Sequence, residues 1–307
     1  MSSFLILSTA IVALLSVATV ISRGLVWQKG ATPTLANLNE RIDAWWIMVL
    51  VALPVIAAGP LAATMLFALL SFLTLREFLS LTPTHQTDRL SLFASFFLAI
   101  PVQYVLVAID WYALFSILIP VYGFFFVSAL TTLKQTTDHF LERKARMQWA
   151  IMVCVYGLSH APALLYLDIP GYDASNGLLL LFFLVVVQLS DVFQYVCGKL
   201  FGKRKLAPLL SPNKTVEGLV GGGLLASLVG AGLHGFTPFG FVAAWMLALA
   251  VVVSGALGGL ILSAVKRSLG VKDWGQSIPG HGGTLDRLDS VAFSAPIFFH
   301  LTRYFYT

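Results

Sequence analysis

Residues 263–289 read SAVKRSLGVKDWGQSIPGHGGTLDRLD and are densely polar in an otherwise apolar chain. They contain four basic residues, three carboxylates, one histidine and five glycines. Glycines let a backbone approach a ligand closely, and lysines and arginines beside them supply positive charge for phosphate oxygens. Carboxylates among basic groups favour a hard cation, because Mg²⁺ takes one or two carboxylates together with substrate phosphate oxygens. The stretch therefore predicts a metal-assisted phosphoryl or nucleotidyl transfer site.

The composition of the whole chain is that of an integral membrane protein. Of its 307 residues, 58% are hydrophobic and 11% are charged, and the mean hydropathy is +0.86. A soluble domain has about a quarter of its residues charged. The two cysteines, Cys154 and Cys197, lie in apolar runs and support neither a disulfide framework nor a metal cluster. The net charge of +5 could suggest nucleic acid, but the placement of the basic residues argues against that partner.

Apolar runs long enough to cross a bilayer recur along the chain, since a span needs about 20 residues. Gly59-Pro60 separates two short runs and predicts a tight helical hairpin. We predict an all-α, polytopic transmembrane helical bundle of about nine or ten membrane segments, forming one domain over residues 1–307. The expected segments are 4–21, 44–58, 61–75, 91–109, 111–130, 147–167, 177–197, 216–234, 239–262 and the short stretch 291–302.

Basic residues fall on one side of the membrane when these segments alternate. With an external N-terminus, every Lys and Arg except Arg303 lies in an inside loop. We therefore expect residues 263–289 to face the cytoplasm, with the protein in a bacterial inner membrane. Residues 1–146 hold few polar groups within their spans and are interpreted as structural helices. The active site is expected in the helices and cytoplasmic loops of residues 147–307.

A polar stripe runs along the seventh predicted span, where Gln188, Asp191, Tyr195 and Lys199 share one helical face. An ionisable residue within a span costs at least about 2.5 kcal/mol and normally faces a cavity or a partner. We interpret the stripe as one wall of a substrate cavity. The alternative is that Asp191 lies at the cytoplasmic end of the span and pairs with Lys199.

The loop after this span contains SPNKT, residues 211–215, in which Ser211 and Pro212 resemble the N-cap and first residue of a helix. A helix N-terminus with Lys214 in its first turn suits an anion. The alternative is an ordinary basic inside loop with a helix cap.

Small residues recur at four-residue spacing in the next two spans, which predicts close helix packing. These residues are Gly218, Gly222, Ser254, Gly255, Gly258 and Gly259.

Asp286 and Asp289 are three residues apart and share a face if the chain becomes helical after Gly283. They could then hold one cation together, with Asp273 approaching from the other arm of the loop. The alternative for each carboxylate is a salt bridge to a nearby lysine or arginine. His281, between glycines, is interpreted as a contact to phosphate or backbone.

These residues resemble the signature of the phosphatidate cytidylyltransferases over about residues 177–300. The matching positions are Asp191, Tyr195, Ser211, Pro212, Lys214, Thr215, Glu217, Gly218, Ser263, Lys266, Arg267, Lys272, Asp273, Gly275, Pro279, His281, Gly282, Gly283, Asp286, Arg287 and Asp289. The resemblance implies that CTP and phosphatidic acid give CDP-diacylglycerol and pyrophosphate. It implies dependence on Mg²⁺ and allows a second, monovalent cation such as K⁺. Thr284 and Gln194 depart from the usual pattern, which is compatible with a paralogue acting on another phospholipid.

We therefore expect metal-binding, lipid-binding and phosphate-binding roles for these residues. Asp286, Asp289 and Asp273 would bind Mg²⁺, while Asp191 and Tyr195 would line the cavity for the lipid head group. The groups expected to bind phosphate are Lys214, Ser211, Lys266, Arg267, Lys272, Arg287, His281 and the backbone of Gly282 and Gly283. The expected partners are CTP, phosphatidic acid and membrane lipids, with a homodimer allowed. The rival readings are a CTP-dependent polyprenol kinase and a transporter of anionic lipid or nucleotide.

Overall fold

The structure is a computed structural model that describes residues 2–30, 32–83, 86–132, 137–172, 174–277 and 282–307. Within these residues the chain forms ten helical segments and one small hairpin of two strands. The segments are α1 Ser2–Lys29, α2 Pro33–Ala57, α3 Pro60–Ser80, α4 Gln86–Ala108, α5 Tyr112–Leu130, α6 Phe140–Tyr166, α7 Asn176–Phe201, α8 Val216–Gly232, α9 Phe241–Ser268 and α10 Leu285–Tyr306. The strands are β1 Lys205–Ala207 and β2 Ser211–Thr215.

Seven of these segments in the described chain are long and apolar enough to cross a membrane. The others are α2, α8 and α10; α8 has 17 residues, and α10 begins with the charged sequence LDRLD. The predicted polytopic helical membrane protein is confirmed, and each of the ten predicted segments corresponds to one helix. Gly59 makes the turn between α2 and α3 with a φ of 111°, a conformation that favours glycine, so the hairpin at Gly59-Pro60 is also confirmed.

Helix α6 is the most buried of the seven long apolar segments and packs against α10 at Gly157. A Cβ atom on Gly157 would lie 2.3 Å from the carbonyl oxygen of Ala292, so the two backbones touch. The buried apolar core around this contact is continuous across the chain. It includes Phe78 of α3 as well as Phe182 of α7 and Phe298 of α10. The N-terminal helices therefore pack directly on the helices that carry the polar motifs.

The predicted close packing through small residues is confirmed. A Cβ on Gly222 of α8 would lie 2.2 Å from the backbone nitrogen of Gln194 in α7. A Cβ on Gly258 of α9 would lie 2.5 Å from the Cβ of Phe293 in α10. Because glycines lie at both contacts, the helices approach closely there, and the same ends of α7, α8, α9 and α10 are drawn together.

The prediction of a helix beginning at Ser211-Pro212 is wrong. Ser211–Thr215 is strand β2, which pairs antiparallel with β1. The helix begins at Val216, and the Thr215 hydroxyl caps it by accepting from the Gly218 N–H at 3.1 Å. Glu217 stabilises the hairpin instead, since its carboxylate accepts from the N–H groups of Lys203 and Arg204 at 3.0 and 3.1 Å. Lys214 therefore lies in a strand before the helix and not in its first turn.

Candidate active site

The polar residues of the C-terminal half converge where α7, β2, α9 and the start of α10 meet. The shortest ion pair there joins Lys266 Nζ on α9 to Asp286 Oδ1 on α10, at 2.6 Å. Their side chains are only 12% and 7% exposed. A pair this well shielded from water is costly to break, because the remaining charge would be left uncompensated.

Asp286 also holds the loop that precedes it. Its second oxygen, Oδ2, accepts from the N–H of Trp274 at 2.7 Å and from the N–H of Gly283 at 2.9 Å. Gly282 turns the loop with a φ of 79°, and a Cβ there would lie 2.7 Å from Asp286 Oδ2. Glycine is therefore required at this position. The first residues of α10 and the loop on its N-terminal side form one hydrogen-bonded unit.

Asp289, one turn later on α10, lies beside Lys214 of the hairpin. A Cβ on Gly259 of α9 would lie 3.1 Å from Lys214 Nζ and 3.6 Å from Asp289 Oδ2, so this glycine leaves room for both groups. Ser290 connects Asp289 to α7: its hydroxyl donates to Asp191 Oδ2 at 3.4 Å. Asp191 interacts electrostatically with Asp289, Lys214 and Arg287. Helices α7 and α10 thus contribute carboxylates to the site, while β2 and α9 contribute lysines.

The polar stripe on α7 reaches this site at Asp191, and its later residues, Tyr195 and Lys199, lie further along the helix. Asp191 and Tyr195 are both exposed, and Lys199 Nζ lies 5.8 Å from the centroid of the Tyr195 ring. Gln194, one of the departures from the family pattern, donates to the Ser190 hydroxyl at 2.7 Å. The structure therefore places Asp191 with Ser290 and directs Lys199 over Tyr195.

The remaining predicted site residues differ in their surroundings. Arg267 supports the backbone: its guanidinium donates to the carbonyls of Leu210 and Val271 at 3.3 and 3.4 Å. Lys272 and Asp273 are exposed on the loop. Predicted residues that are partly buried around the site are Ser211, Gly282 and Arg287, and Gly283 is buried. His281 and Pro279 lie outside the described residues, so their predicted roles stay predictions.

One residue of the site was missed in the sequence. Glu77, at the end of α3, is 6% exposed and enters the loop from the N-terminal half. Its two carboxylate oxygens accept from the N–H groups of Thr284 and Leu285, each at 2.8 Å, and Oε1 also accepts from the Ser277 hydroxyl. A signal was present, because Glu77 lies within the apolar sequence of α3, and ionisable residues within such sequences are rare. The predicted span ended at residue 75, which left Glu77 as an ordinary loop residue.

The carboxylates of the site differ in how well they suit a hard cation. The described residues contain no group of three or more His, Cys, Asp or Glu side chains placed to hold a metal ion. Asp286 is occupied by Lys266 and two backbone N–H groups, whereas Asp289 and Asp191 flank Ser290. Mg²⁺ needs only one or two carboxylates when phosphate oxygens complete its shell. Asp289 and Asp191 fit that requirement, and a joint site of Asp273, Asp286 and Asp289 stays a prediction.

Comparisons with known proteins find similarity over most of the chain. A model of the cytidylyltransferase family matches residues 39–305. A protein of Escherichia coli (strain K12), named uncharacterized protein YnbB, is 38% identical over 301 residues, which cover 95% of this chain and 96% of that protein.

Several relatives named phosphatidate cytidylyltransferase match a part of the chain, among them those of two Staphylococcus species. That of Staphylococcus saprophyticus is 46% identical over 121 residues, or 38% of this chain and 46% of that protein. That of Staphylococcus haemolyticus is 43% identical over 127 residues, or 40% of this chain and 48% of that protein. The chain therefore aligns with slightly less than half the length of these two relatives.

Proposed function

Because the chain belongs to the cytidylyltransferase family and is a nucleotidyltransferase, we propose that it transfers the cytidylyl group of CTP to phosphatidic acid. The products would be CDP-diacylglycerol and pyrophosphate. The observation that carries this proposal is the meeting of Asp191, Lys214, Asp289 and the Lys266–Asp286 pair at one end of the helix bundle. A site with cations and carboxylates side by side suits two phosphate-bearing substrates joined by a hard cation.

In the proposed reaction a phosphate oxygen of the lipid attacks the α-phosphorus of CTP. A new P–O bond forms as the bond from that phosphorus to the bridging oxygen breaks, and pyrophosphate leaves. No strong general base is required, because a phosphate monoester is already largely ionised near neutral pH. The work of the protein is to align the two phosphates and to balance their charge.

Named residues would perform this work. Lys214 and Lys266 are partly buried cations that would bind phosphate oxygens, and the loop N–H groups would add donors. Asp289 and Asp191 would hold Mg²⁺, with Asp273 and Asp286 as the further ligands that the family resemblance implies. Mg²⁺ bound there would neutralise charge on the phosphoryl group being transferred. Tyr195 and the exposed face of α7 would border the path of the lipid head group.

The surroundings of the site suit a lipid substrate. Exposed apolar residues continue along α7 and α8 close to the carboxylates, among them Val192, Val196 and Val220. In a membrane these surfaces meet acyl chains, so a phospholipid can bring its phosphate to Asp191 without leaving the bilayer. We place the site at the cytoplasmic face of a bacterial inner membrane, because Lys199, Lys203, Arg204 and Lys205 border it and positive loops stay inside.

The proposal is tested by following two labels on CTP. Protein purified in detergent is mixed with phosphatidic acid, Mg²⁺ and CTP labelled on either the α- or the γ-phosphate. Cytidylyl transfer predicts that the α label enters a lipid and that the γ label leaves as pyrophosphate. A γ label in the lipid would instead indicate a kinase, and lipid or nucleotide flux without cleavage of CTP would indicate a transporter. Either result overturns the proposal.

A second candidate function is transfer of the cytidylyl group to the phosphate of a different phospholipid. The observation that favours it is the extent of the similarity. The phosphatidate cytidylyltransferases of Staphylococcus saprophyticus and Staphylococcus haemolyticus align with 38% and 40% of the chain, whereas the Escherichia coli protein that aligns with 95% of the chain carries another name. The same labelled assay with a panel of phospholipid phosphomonoesters separates the two acceptors. Phosphatidic acid is expected to give the highest kcat/KM.

A further inference from the structure

A carboxylate from the N-terminal half of the chain caps the helix that carries the candidate site. The N–H groups of Thr284 and Leu285 begin α10 and have no carbonyl partner within the helix. Glu77 of α3 accepts both of them at 2.8 Å, across more than 200 residues of sequence. A negative charge at a helix N-terminus is also favoured by the helix dipole.

The loop is closely shaped around this carboxylate. A Cβ on Gly283 would lie 2.5 Å from Glu77 Oε2, and a Cβ on Gly275 would lie 3.4 Å from Glu77 Oε1. The next residue of α3, Phe78, stacks on Trp274 of the loop with ring centroids 4.7 Å apart and an angle of 19° between the planes. Phe78 and Trp274 are each 1% exposed. Helix α3 therefore contacts the loop through two adjacent residues, Glu77 and Phe78.

Three donors use three of the roughly four acceptor positions of the Glu77 carboxylate, so in this arrangement Glu77 holds the loop and the start of α10. Its effect reaches the site through α10. Asp286 follows the capped N–H groups immediately and Asp289 comes one turn later, so the orientation of α10 fixes both carboxylates relative to Lys266 and Lys214. The N-terminal half thereby contributes to the site, although its spans contain few polar side chains.

We propose that Glu77 is a positioning residue for the nucleotidyl-transfer site, holding the start of α10 so that Asp286 and Asp289 face Lys266 and Lys214. This inference rests on the proposed function for its catalytic consequence. Its structural consequence, order in the first turn of α10, is independent of the reaction.

Glu77→Gln is the informative variant, because the side chain keeps its size while one acceptor oxygen becomes an NH₂ donor. At least one of the two N–H groups then loses its partner. Losing a hydrogen bond to a charged acceptor is expected to speed amide hydrogen exchange at Thr284 and Leu285 about 10- to 100-fold. We expect kcat to fall by about the same factor, with the KM for the lipid within about twofold, because no substrate contact is removed.

The matched control is Ser71→Ala on the same helix. It removes the buried hydrogen bond of Ser71 to the Tyr104 hydroxyl, 2.7 Å long, and touches no atom of the loop. This variant is expected to destabilise α3 while leaving exchange at Thr284 and Leu285 at the wild-type rate. If Ser71→Ala speeds that exchange as much as Glu77→Gln does, the effect is general loosening and the proposal is overturned.

Should Glu77→Gln fail to fold, Ser277→Ala carries the test. Ser277 is exposed, and its hydroxyl donates only one of the three hydrogen bonds to Glu77. A rise of about fivefold in exchange at Thr284 and Leu285 is expected, and an unchanged rate overturns the proposal. If the wild-type protein shows no cytidylyl transfer, the proposed function fails while the exchange experiment still decides the role of Glu77.

Discussion

Replacing Asp286 by asparagine should disable the site while keeping much of its hydrogen bonding. The amide oxygen of asparagine can still accept from the N–H groups of Trp274 and Gly283. Its NH₂ group must then face Lys266, where the wild-type carboxylate oxygen lies 2.6 Å from the ammonium. The substitution therefore removes the ion pair and places a donor against a cation.

The magnitude follows from the burial of this pair. Breaking a buried ion pair by changing one partner costs about 3–5 kcal/mol. The 12% exposure of Lys266 lets water reach the ammonium, so we take the lower end of about 3 kcal/mol. If this cost is expressed in the transition state, kcat/KM falls about 100-fold, since about 1.4 kcal/mol corresponds to a factor of ten.

The assay is cytidylyl transfer by purified protein, with the folded fraction measured by size-exclusion chromatography. The control variant is Glu142→Gln, which breaks the exposed contact of Glu142 with Arg146 at 3.6 Å. Exposed pairs contribute about 0–1 kcal/mol, so this variant should keep nearly full activity and stability. Folded Asp286→Asn protein with turnover within twofold of wild type would refute the reasoning.

Two further predictions concern packing and orientation. Gly222→Leu should prevent the close approach of α7 and α8, because even a Cβ would lie 2.2 Å from the Gln194 nitrogen. We expect the thermal midpoint of unfolding to fall by several degrees and the activity to be lost. A melting curve like that of the wild type would contradict this prediction. A cysteine at Leu209, which is 90% exposed at the tip of the hairpin, should react with an impermeant maleimide only in inverted membrane vesicles. Labelling in intact spheroplasts would place the site on the opposite face of the membrane.

The helices of this fold could be read from the sequence because a bilayer imposes their length and composition. Each apolar run became one helix, and the glycines at four-residue spacing marked the contacts at Gly222 and Gly258. These features are local, since they depend on residues within one or two turns of each other. The polar stretch 263–289 also stood out, because its composition differs sharply from its surroundings; it contains the connection between α9 and α10 and the adjoining helix ends.

The features that were missed depend on partners distant in sequence or on competing local choices. Ser211-Pro212 has the residues of a helix start, but pairing with β1 and the hydrogen bonds from Lys203 and Arg204 to Glu217 favour a strand there. The role of Glu77 depends on N–H groups more than 200 residues away, which no local pattern reveals. The spacing of Asp286 and Asp289 indicated that they share one face of a helix. It could not show that Asp286 forms an ion pair with Lys266.

The proposed role of a divalent ion at this site is to let two anionic substrates react. Its most direct test is the amount of α-labelled lipid that the purified protein forms from CTP and phosphatidic acid, with Mg²⁺ present and after removal of all divalent ions. We predict that labelling falls at least about 100-fold on removal and returns when Mg²⁺ is restored. Equal labelling in the stripped protein would contradict this role.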